Sequence, residues 1–171
     1  MNGIVQTKTY RVCSPVIHGF QRGSKLLGFP TANLEPACFQ DAFVGAPRGV
    51  YIGFANVDRG EVYKTAVTLG TNPHFNTTTE TVEPYILHEF KEDFYGSELR
   101  LLICGYLRPS LAYTTLEALI EAIQRDVRVA DHVLETQPYA NFKNDPFFTD
   151  PNVAPPARGE NTTSNPTPST L

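Results

Sequence analysis

The chain has 171 residues, of which 41% are hydrophobic, and this length is typical of one domain with its own core. Its formal net charge of −4, from 14 Lys and Arg against 18 Asp and Glu, argues against a nucleic-acid or anionic-membrane surface. Three Cys without C-x-x-C spacing, and no apolar run near the ~18 residues of a membrane span, argue against disulfides, a zinc site and membrane insertion. We therefore expect a soluble cytoplasmic monomer, with organellar targeting left open.

The first predicted strand, residues 10–17, leads into a Gly-rich segment, residues 18–33, that ends in Pro-Thr-Ala-Asn. Such a loop can turn its amides towards phosphate oxygens, while Lys25 adds charge. It is not a Walker A motif, because Gly-Ser-Lys replaces Gly-Lys-Ser/Thr and Pro30 disfavours a helix directly after it. An ordinary connection between strands is the alternative interpretation.

Thr31 and Asn33 offer two neutral oxygens at the end of this segment. In an extended chain, side chains two residues apart project the same way and can reach one hard cation. Mg²⁺ accepts a few protein oxygens when waters and phosphates complete its octahedron. A turn or capping role for Asn33 is the alternative.

Four more strands are predicted at residues 49–57, 61–69, 81–90 and 98–107, since each is rich in β-branched or aromatic residues and bounded by turn signals. The first two form the clearest hairpin. Val50, Ile52 and Phe54 alternate on one face, and Asp58-Arg59-Gly60 turns the chain.

One amphipathic helix follows, because apolar residues recur near 3.6-residue spacing from Leu116 to Leu134. Thr114 and Glu117 have the spacing of a capping box at its start. Five or more antiparallel strands and one helix predict a mostly β fold, a closed barrel covered by the helix on one side. We expect residues 1–149 to form the domain and the polar, Pro-rich residues 150–171 to form a disordered tail.

An ordered set of motifs then points to a family. After the Gly-Phe-Pro-Thr-Ala-Asn end of the Gly-rich segment come Gly49-Val50-Tyr51, Gly70-Thr71-Asn72-Pro73, Glu83, Asp93-Phe94-Tyr95-Gly96 and Gly105-Tyr106-Leu107-Arg108-Pro109. This set resembles the riboflavin kinase (flavokinase) family of the monofunctional eukaryotic type over about residues 10–135.

The resemblance implies a six-stranded antiparallel Greek-key β-barrel with a C-terminal helix packed on it. It implies a kinase that moves the γ-phosphoryl group of ATP to the 5′-hydroxyl of riboflavin, giving FMN and ADP, with Mg²⁺ or another divalent ion such as Zn²⁺. No nucleic-acid or membrane partner is expected. By the same likeness, the nucleotide residues are Gly19, Lys25, Thr31, Asn33, His88 and Tyr95, the metal ligands are Thr31 and Asn33, the flavin residues are Arg108, Tyr113 and Leu116, and the catalytic base is Glu83.

Glu83 suits that role chemically, because phosphoryl transfer needs a group that accepts the hydroxyl proton. Many family members have a β-branched residue and then His after this Glu, whereas this chain has Pro84-Tyr85. Proline donates no ladder hydrogen bond, so the strand must be at an edge, bulged or unpaired here. Glu80 is the alternative base.

Simpler interpretations remain for the other residues: Arg108 as a surface cation, His88 as a strand side chain and Tyr95 as a turn aromatic. A barrel that binds a flavin or nucleotide without turnover is the competing functional class. Such a binder would not need the combination of Lys25, Thr31, Asn33 and Glu83.

Overall fold

The computed structural model describes residues 4–17, 32–71 and 80–156. Six strands and two α-helices follow in chain order. They are β1 (Val5–Ile17), β2 (Asn33–Leu34), α1 (Pro36–Phe39), β3 (Gly49–Val57), β4 (Tyr63–Gly70), β5 (Thr81–Ile86), β6 (Glu98–Pro109) and α2 (Leu116–Val133), followed by two 3-10 helices, Tyr139–Asn144 and Pro146–Phe148.

The strands form one antiparallel sheet in the order β2-β1-β6-β3-β4-β5. Strands β3, β4 and β5 follow one another as hairpins, and β6 then returns to lie beside β3. This return is the Greek-key connection. The mostly β fold with a C-terminal helix is confirmed.

The barrel is nearly closed at the seam between β2 and β5. The backbone N–H of Ala32 donates to the carbonyl of Pro84 over 3.1 Å. The two edge strands of the sheet therefore meet, which removes most of the exposed edge.

Pro84 lies at this seam without interrupting the β4–β5 ladder. The N–H of Leu87 donates to the carbonyl of Lys64, and pairs in an antiparallel ladder alternate between bonded and non-bonded. Pro84, which is paired with Val67, therefore falls at a non-hydrogen-bonded position. Of the three alternatives that the sequence left open for this proline, an edge strand, a bulge or an unpaired position, the structure shows the first, because β5 ends the strand order of the sheet.

Two apolar clusters lie on opposite faces of the sheet. Inside the barrel, alternate strand residues such as Tyr51, Val67 and Leu101 are buried together. On the outer face, Ile52 and Phe54 pack against α2, as their alternation in the sequence predicts.

The helix α2 starts one residue later than the capping box predicted. Thr115, not Thr114, is the N-cap, and its hydroxyl accepts a hydrogen bond from the N–H of Ala118 over 3.1 Å. Glu117 still lies in the first turn, where a carboxylate favours the helix dipole. In the parts of the chain that the structure describes, no helix has the length and apolar content needed to cross a membrane.

The strand limits differ from the predicted ones mainly at their ends. β1 begins at Val5 rather than residue 10, and β5 ends at Ile86 rather than residue 90. The early end of β5 follows from a tight turn, in which the N–H of His88 donates to the carbonyl of Ile86 over 2.8 Å. The two-residue β2 and the short α1 were not predicted, because four or fewer residues carry no periodic pattern.

The segment after α2 is attached to the barrel by polar side chains. The fully buried Arg100 donates from Nη1 to the carbonyls of Phe147 and Asp150 and from Nη2 to that of Val153. The Asn56 amide donates to the carbonyl of Phe148 over 3.0 Å. The ordered contacts therefore extend to residue 153.

Candidate functional site

A cleft opens on the outer face of the barrel, beside the first turns of α2. It combines apolar walls with hydroxyl groups and one cation. The lining residues are Val50, Thr68, Thr71, Tyr85, Arg108, Ser110, Leu111, Tyr113, Leu119 and Ile123.

Glu83 lies at the edge of this cleft. It is paired with Thr68 across the β4–β5 ladder, and Thr68 lines the cleft. Val82 and Ile86 point into the barrel, so alternation puts Glu83 on the outer face with Tyr85. A half-buried carboxylate therefore stands next to an apolar, concave surface.

Tyr85 forms the buried wall of the cleft next to Glu83. Burial raises the pKa of its hydroxyl, and the negative charge of Glu83 raises it further. Its hydroxyl also shares a hydrogen bond with Thr68. Tyr85 thus stays neutral and presents an aromatic face with a fixed polar tip.

Asn33 lies across the seam from Glu83. The Ala32–Pro84 hydrogen bond joins their immediate neighbours, and the side chains of Ala32 and Leu34 are buried in the barrel. By alternation, the half-buried Asn33 side chain faces outwards, as that of Glu83 does. The fold therefore brings together an amide oxygen and a carboxylate that are 50 residues apart in sequence.

The donor set fits a hard cation that keeps waters and phosphates as ligands. Asn33 supplies a neutral oxygen, the ligand type that Mg²⁺ accepts. Among the described residues, no group of three or more His, Cys, Asp or Glu could hold a metal ion. A dense all-protein metal cage of those residues is thus not seen in this part of the chain.

Arg108 lines the cleft and is bound to α2 through Asp126. Its Nε donates to Oδ1 over 2.9 Å and its Nη2 to Oδ2 over 2.7 Å. Burial by itself lowers the pKa of Arg108, but the hydrogen bonds and charge of Asp126 outweigh burial and raise it. The guanidinium carbon lies 5.9 Å from the centre of the Tyr113 ring.

Of the three predicted flavin residues, two therefore meet at the cleft. Arg108 and Tyr113 both line it. Leu116 packs half-buried in the cluster between α2 and the barrel, one turn before the lining residue Leu119.

His88 and Tyr95 lie towards the other end of the strands, where β5 ends and β6 begins. The His88 ring stacks on Tyr63 with centroids 3.9 Å apart and an interplanar angle of 14°. Tyr95 is 38% exposed and lies in the turn before β6. This turn is attached to the end of β1, because the N–H of Gly96 donates to the carbonyl of Val16. The fold therefore separates these two residues from the Arg108 end of the cleft.

Three predicted nucleotide residues, Gly19, Lys25 and Thr31, lie outside the described residues.

Glu80, the alternative base, forms an ion pair with Arg48. Its carboxylate accepts a hydrogen bond from Nε of Arg48 over 2.9 Å, and both side chains are 40% exposed. Of the two carboxylates, only Glu83 is paired with a residue that lines the cleft.

Sequence reasoning missed Thr68, Tyr85 and Asp126. Asp126 carried a detectable signal, since a carboxylate next to Val127 on the apolar face of a helix requires a partner when buried. Thr68 and Tyr85 had none, because only strand pairing places them beside Glu83.

Comparison with known proteins relates this architecture to one family. The family model described as Flavokinase: Riboflavin kinase matches residues 6–134. A bifunctional riboflavin kinase/FMN phosphatase from Arabidopsis thaliana is 48% identical over 82% of this chain, which spans 37% of that protein. A riboflavin kinase from Homo sapiens is 44% identical over 78% of this chain and 86% of its own length. The crystal structure of riboflavin kinase from Trypanosoma brucei superimposes with a TM-score of 0.68 at 28% identity, covering 86% of this chain and 94% of that one.

Proposed function

The chain belongs to the riboflavin kinase family, and from that premise we propose that it transfers the γ-phosphoryl group of ATP to the 5′-hydroxyl of riboflavin, giving FMN and ADP. The observation that carries the proposal is the position of Glu83 at the edge of the cleft beside α2, next to the cleft-lining residues Thr68 and Tyr85. We also propose that the chain acts as a monomer in the cytoplasm.

We assign the cleft beside α2 to riboflavin. An isoalloxazine ring needs an extended apolar slot with a few hydrogen-bonding groups, and Tyr85, Leu119 and Ile123 supply such walls. Arg108 and Tyr113 supply polar and aromatic groups at the mouth. In this pose the ribityl chain runs along β5 towards Glu83.

Glu83 then acts as the general base. As the 5′-oxygen attacks the γ-phosphorus in line, the carboxylate accepts the hydroxyl proton, and ADP leaves from the opposite side. The pairing of Glu83 with Thr68 fixes the backbone from which the carboxylate reaches. This fixed backbone supports the assignment, because a base held in place before the substrates bind loses little entropy in the reaction.

Asn33, with Thr31, would hold Mg²⁺ on the ATP side of the seam. When bound, the ion would neutralise negative charge on the phosphates. Lys25 and the amides around Gly19 are assigned to the phosphates, and His88 and Tyr95 to the nucleoside side.

The test is FMN formation from riboflavin, ATP and Mg²⁺, measured by chromatography. Glu83→Gln should lower kcat by about 10²- to 10⁴-fold, as loss of a general base does. Glu80→Gln is the matched control, because Glu80 is bound to Arg48, and it should keep near-normal activity. Absence of FMN with the wild-type chain would overturn the function, and a fully active Glu83→Gln variant would overturn the base.

A further inference from the structure

An ion pair at the wall of the riboflavin cleft joins the barrel to the helix. Arg108 lies near the end of β6, and Asp126 lies in the third turn of α2. We propose that Asp126 is a positioning residue of the flavin site, holding the Arg108 guanidinium in the orientation that receives the ring. The inference rests on the proposed function, in which Arg108 contacts riboflavin.

The geometry of the pair leaves Arg108 little freedom. Both carboxylate oxygens accept from the Nε–Nη2 edge, over 2.9 and 2.7 Å. Two parallel bonds fix the plane of the guanidinium as well as its position. The Asp126 side chain is only 7% exposed, so it cannot swing away into solvent without disturbing the helix.

The other side of the guanidinium faces the mouth of the cleft. Its Nη1 donates to the carbonyl of Pro109 over 3.2 Å, and the Tyr113 ring lies beside it. Ser110, Leu111 and Tyr113 line the cleft there. Because Asp126 occupies one edge of Arg108, the protein determines which edge is presented to a ligand before the ligand arrives, which lowers the entropy lost on binding.

The net charge of the Arg108–Asp126 pair also affects which part of a ligand binds beside it. Arg108 and Asp126 together have no net charge, and the isoalloxazine ring of riboflavin is uncharged at neutral pH. An unpaired Arg at this wall would attract phosphate groups instead, whereas a neutralised one does not. This end of the cleft therefore favours the uncharged ring, and the phosphates bind at the other end.

The first test is Asp126→Asn, which keeps the shape of the side chain and removes its charge. We expect the KM for riboflavin to rise roughly tenfold or more, as a misplaced positioning group causes, while the KM for ATP and kcat change less than about threefold. The matched control is Asp145→Asn. Asp145 also forms a two-point pair with an arginine, Arg11, but outside the cleft, so both KM values should stay unchanged.

The second test decides whether Asp126 acts through Arg108. Arg108→Gln is compared with Arg108→Gln/Asp126→Asn, a double variant that leaves no unpaired buried charge and so folds even if the single Asp126→Asn chain does not. The two should have the same riboflavin KM, because contacting residues that act as a unit are non-additive.

Three results would overturn the proposal. They are an unchanged riboflavin KM in folded Asp126→Asn, an equal rise of both KM values, and a further rise in the double variant. Failure of the proposed function is distinct from these, since it would appear as no FMN from the wild-type chain.

Discussion

Arg100 provides the most demanding test of how the segment after α2 is held. Its side chain is fully buried, with 0% exposure, and the one acid that it pairs with among the described residues is Glu98, at the start of the same strand. Three backbone carbonyls of residues 147–153 accept from its guanidinium over 2.8–3.0 Å. Arg100→Met fills a similar volume but supplies no donor.

The expected loss follows from these contacts. A hydrogen bond to a charged group contributes about 1.5–3 kcal/mol, but the three bonds share one cation and are not additive. Methionine recovers part of the loss through apolar burial. Breaking a buried charged network by removing one member costs about 3–5 kcal/mol, and we expect Arg100→Met to lower the free energy of unfolding by that amount.

The assay is urea unfolding followed by circular dichroism. Arg11→Met is the matched control, because Arg11 also binds this segment, through Asp145, but its side chain is 42% exposed. An exposed pair contributes about 0–1 kcal/mol, so the control should lose no more than that. A loss below about 1.5 kcal/mol for Arg100→Met, or one equal to the control, would show that the buried guanidinium does not hold this segment.

A glycine beside the cleft and the cysteine thiols can be tested in the same way. A Cβ on Gly49 would lie 2.2 Å from the carbonyl oxygen of Arg108, so Gly49→Ala should displace the end of β6, lower stability by about 1–3 kcal/mol in urea titrations and raise the riboflavin KM. Burial raises the pKa of both the Cys13 and Cys104 thiols to about 12, so an aromatic disulfide reagent at pH 8 should modify at most Cys38 in the native protein and all three thiols in urea.

Two controls accompany these measurements. Gly45→Ala carries only the strain of a positive φ of 77°, with nothing within 4 Å of the added carbon, so it should leave the riboflavin KM unchanged. Cys38→Ser should abolish the reaction of the native protein. An unaltered KM in Gly49→Ala, or rapid modification of Cys13 before unfolding, would contradict the reasoning.

Much of the fold could be predicted from the sequence, because periodicity is a local signal. Alternation placed Ile52 and Phe54 on one face of β3, and 3.6-residue spacing placed Leu119 and Ile123 on one face of α2. The turn at Asp58-Arg59 could also be predicted from the sequence. In the structure both residues have a positive φ, as a tight hairpin requires.

The site was predictable only as a set of motifs. The resemblance named Glu83, Asn33 and Arg108, but nothing local connects them. The Ala32–Pro84 bond at the barrel seam brings Asn33 to Glu83, and it depends on two edge strands meeting after the whole sheet has formed. Pro84 leaves the β4–β5 ladder intact for a similar reason, since the strand register puts it at a non-hydrogen-bonded pair.

We could predict from the sequence the class of the fold, the hairpin, the helix and the identities of the residues suited to the chemistry, because each depends on neighbours within a few positions. Which of those residues share a surface depends on how the barrel and the helix pack. Asp126 shows the difference: in the sequence it is one acid on a helix, and only the packing of α2 against β6 makes it the partner of Arg108. Desolvation of that pair is a property of the assembled barrel, so the helix pattern could indicate that Asp126 needs a partner but not that the partner is Arg108.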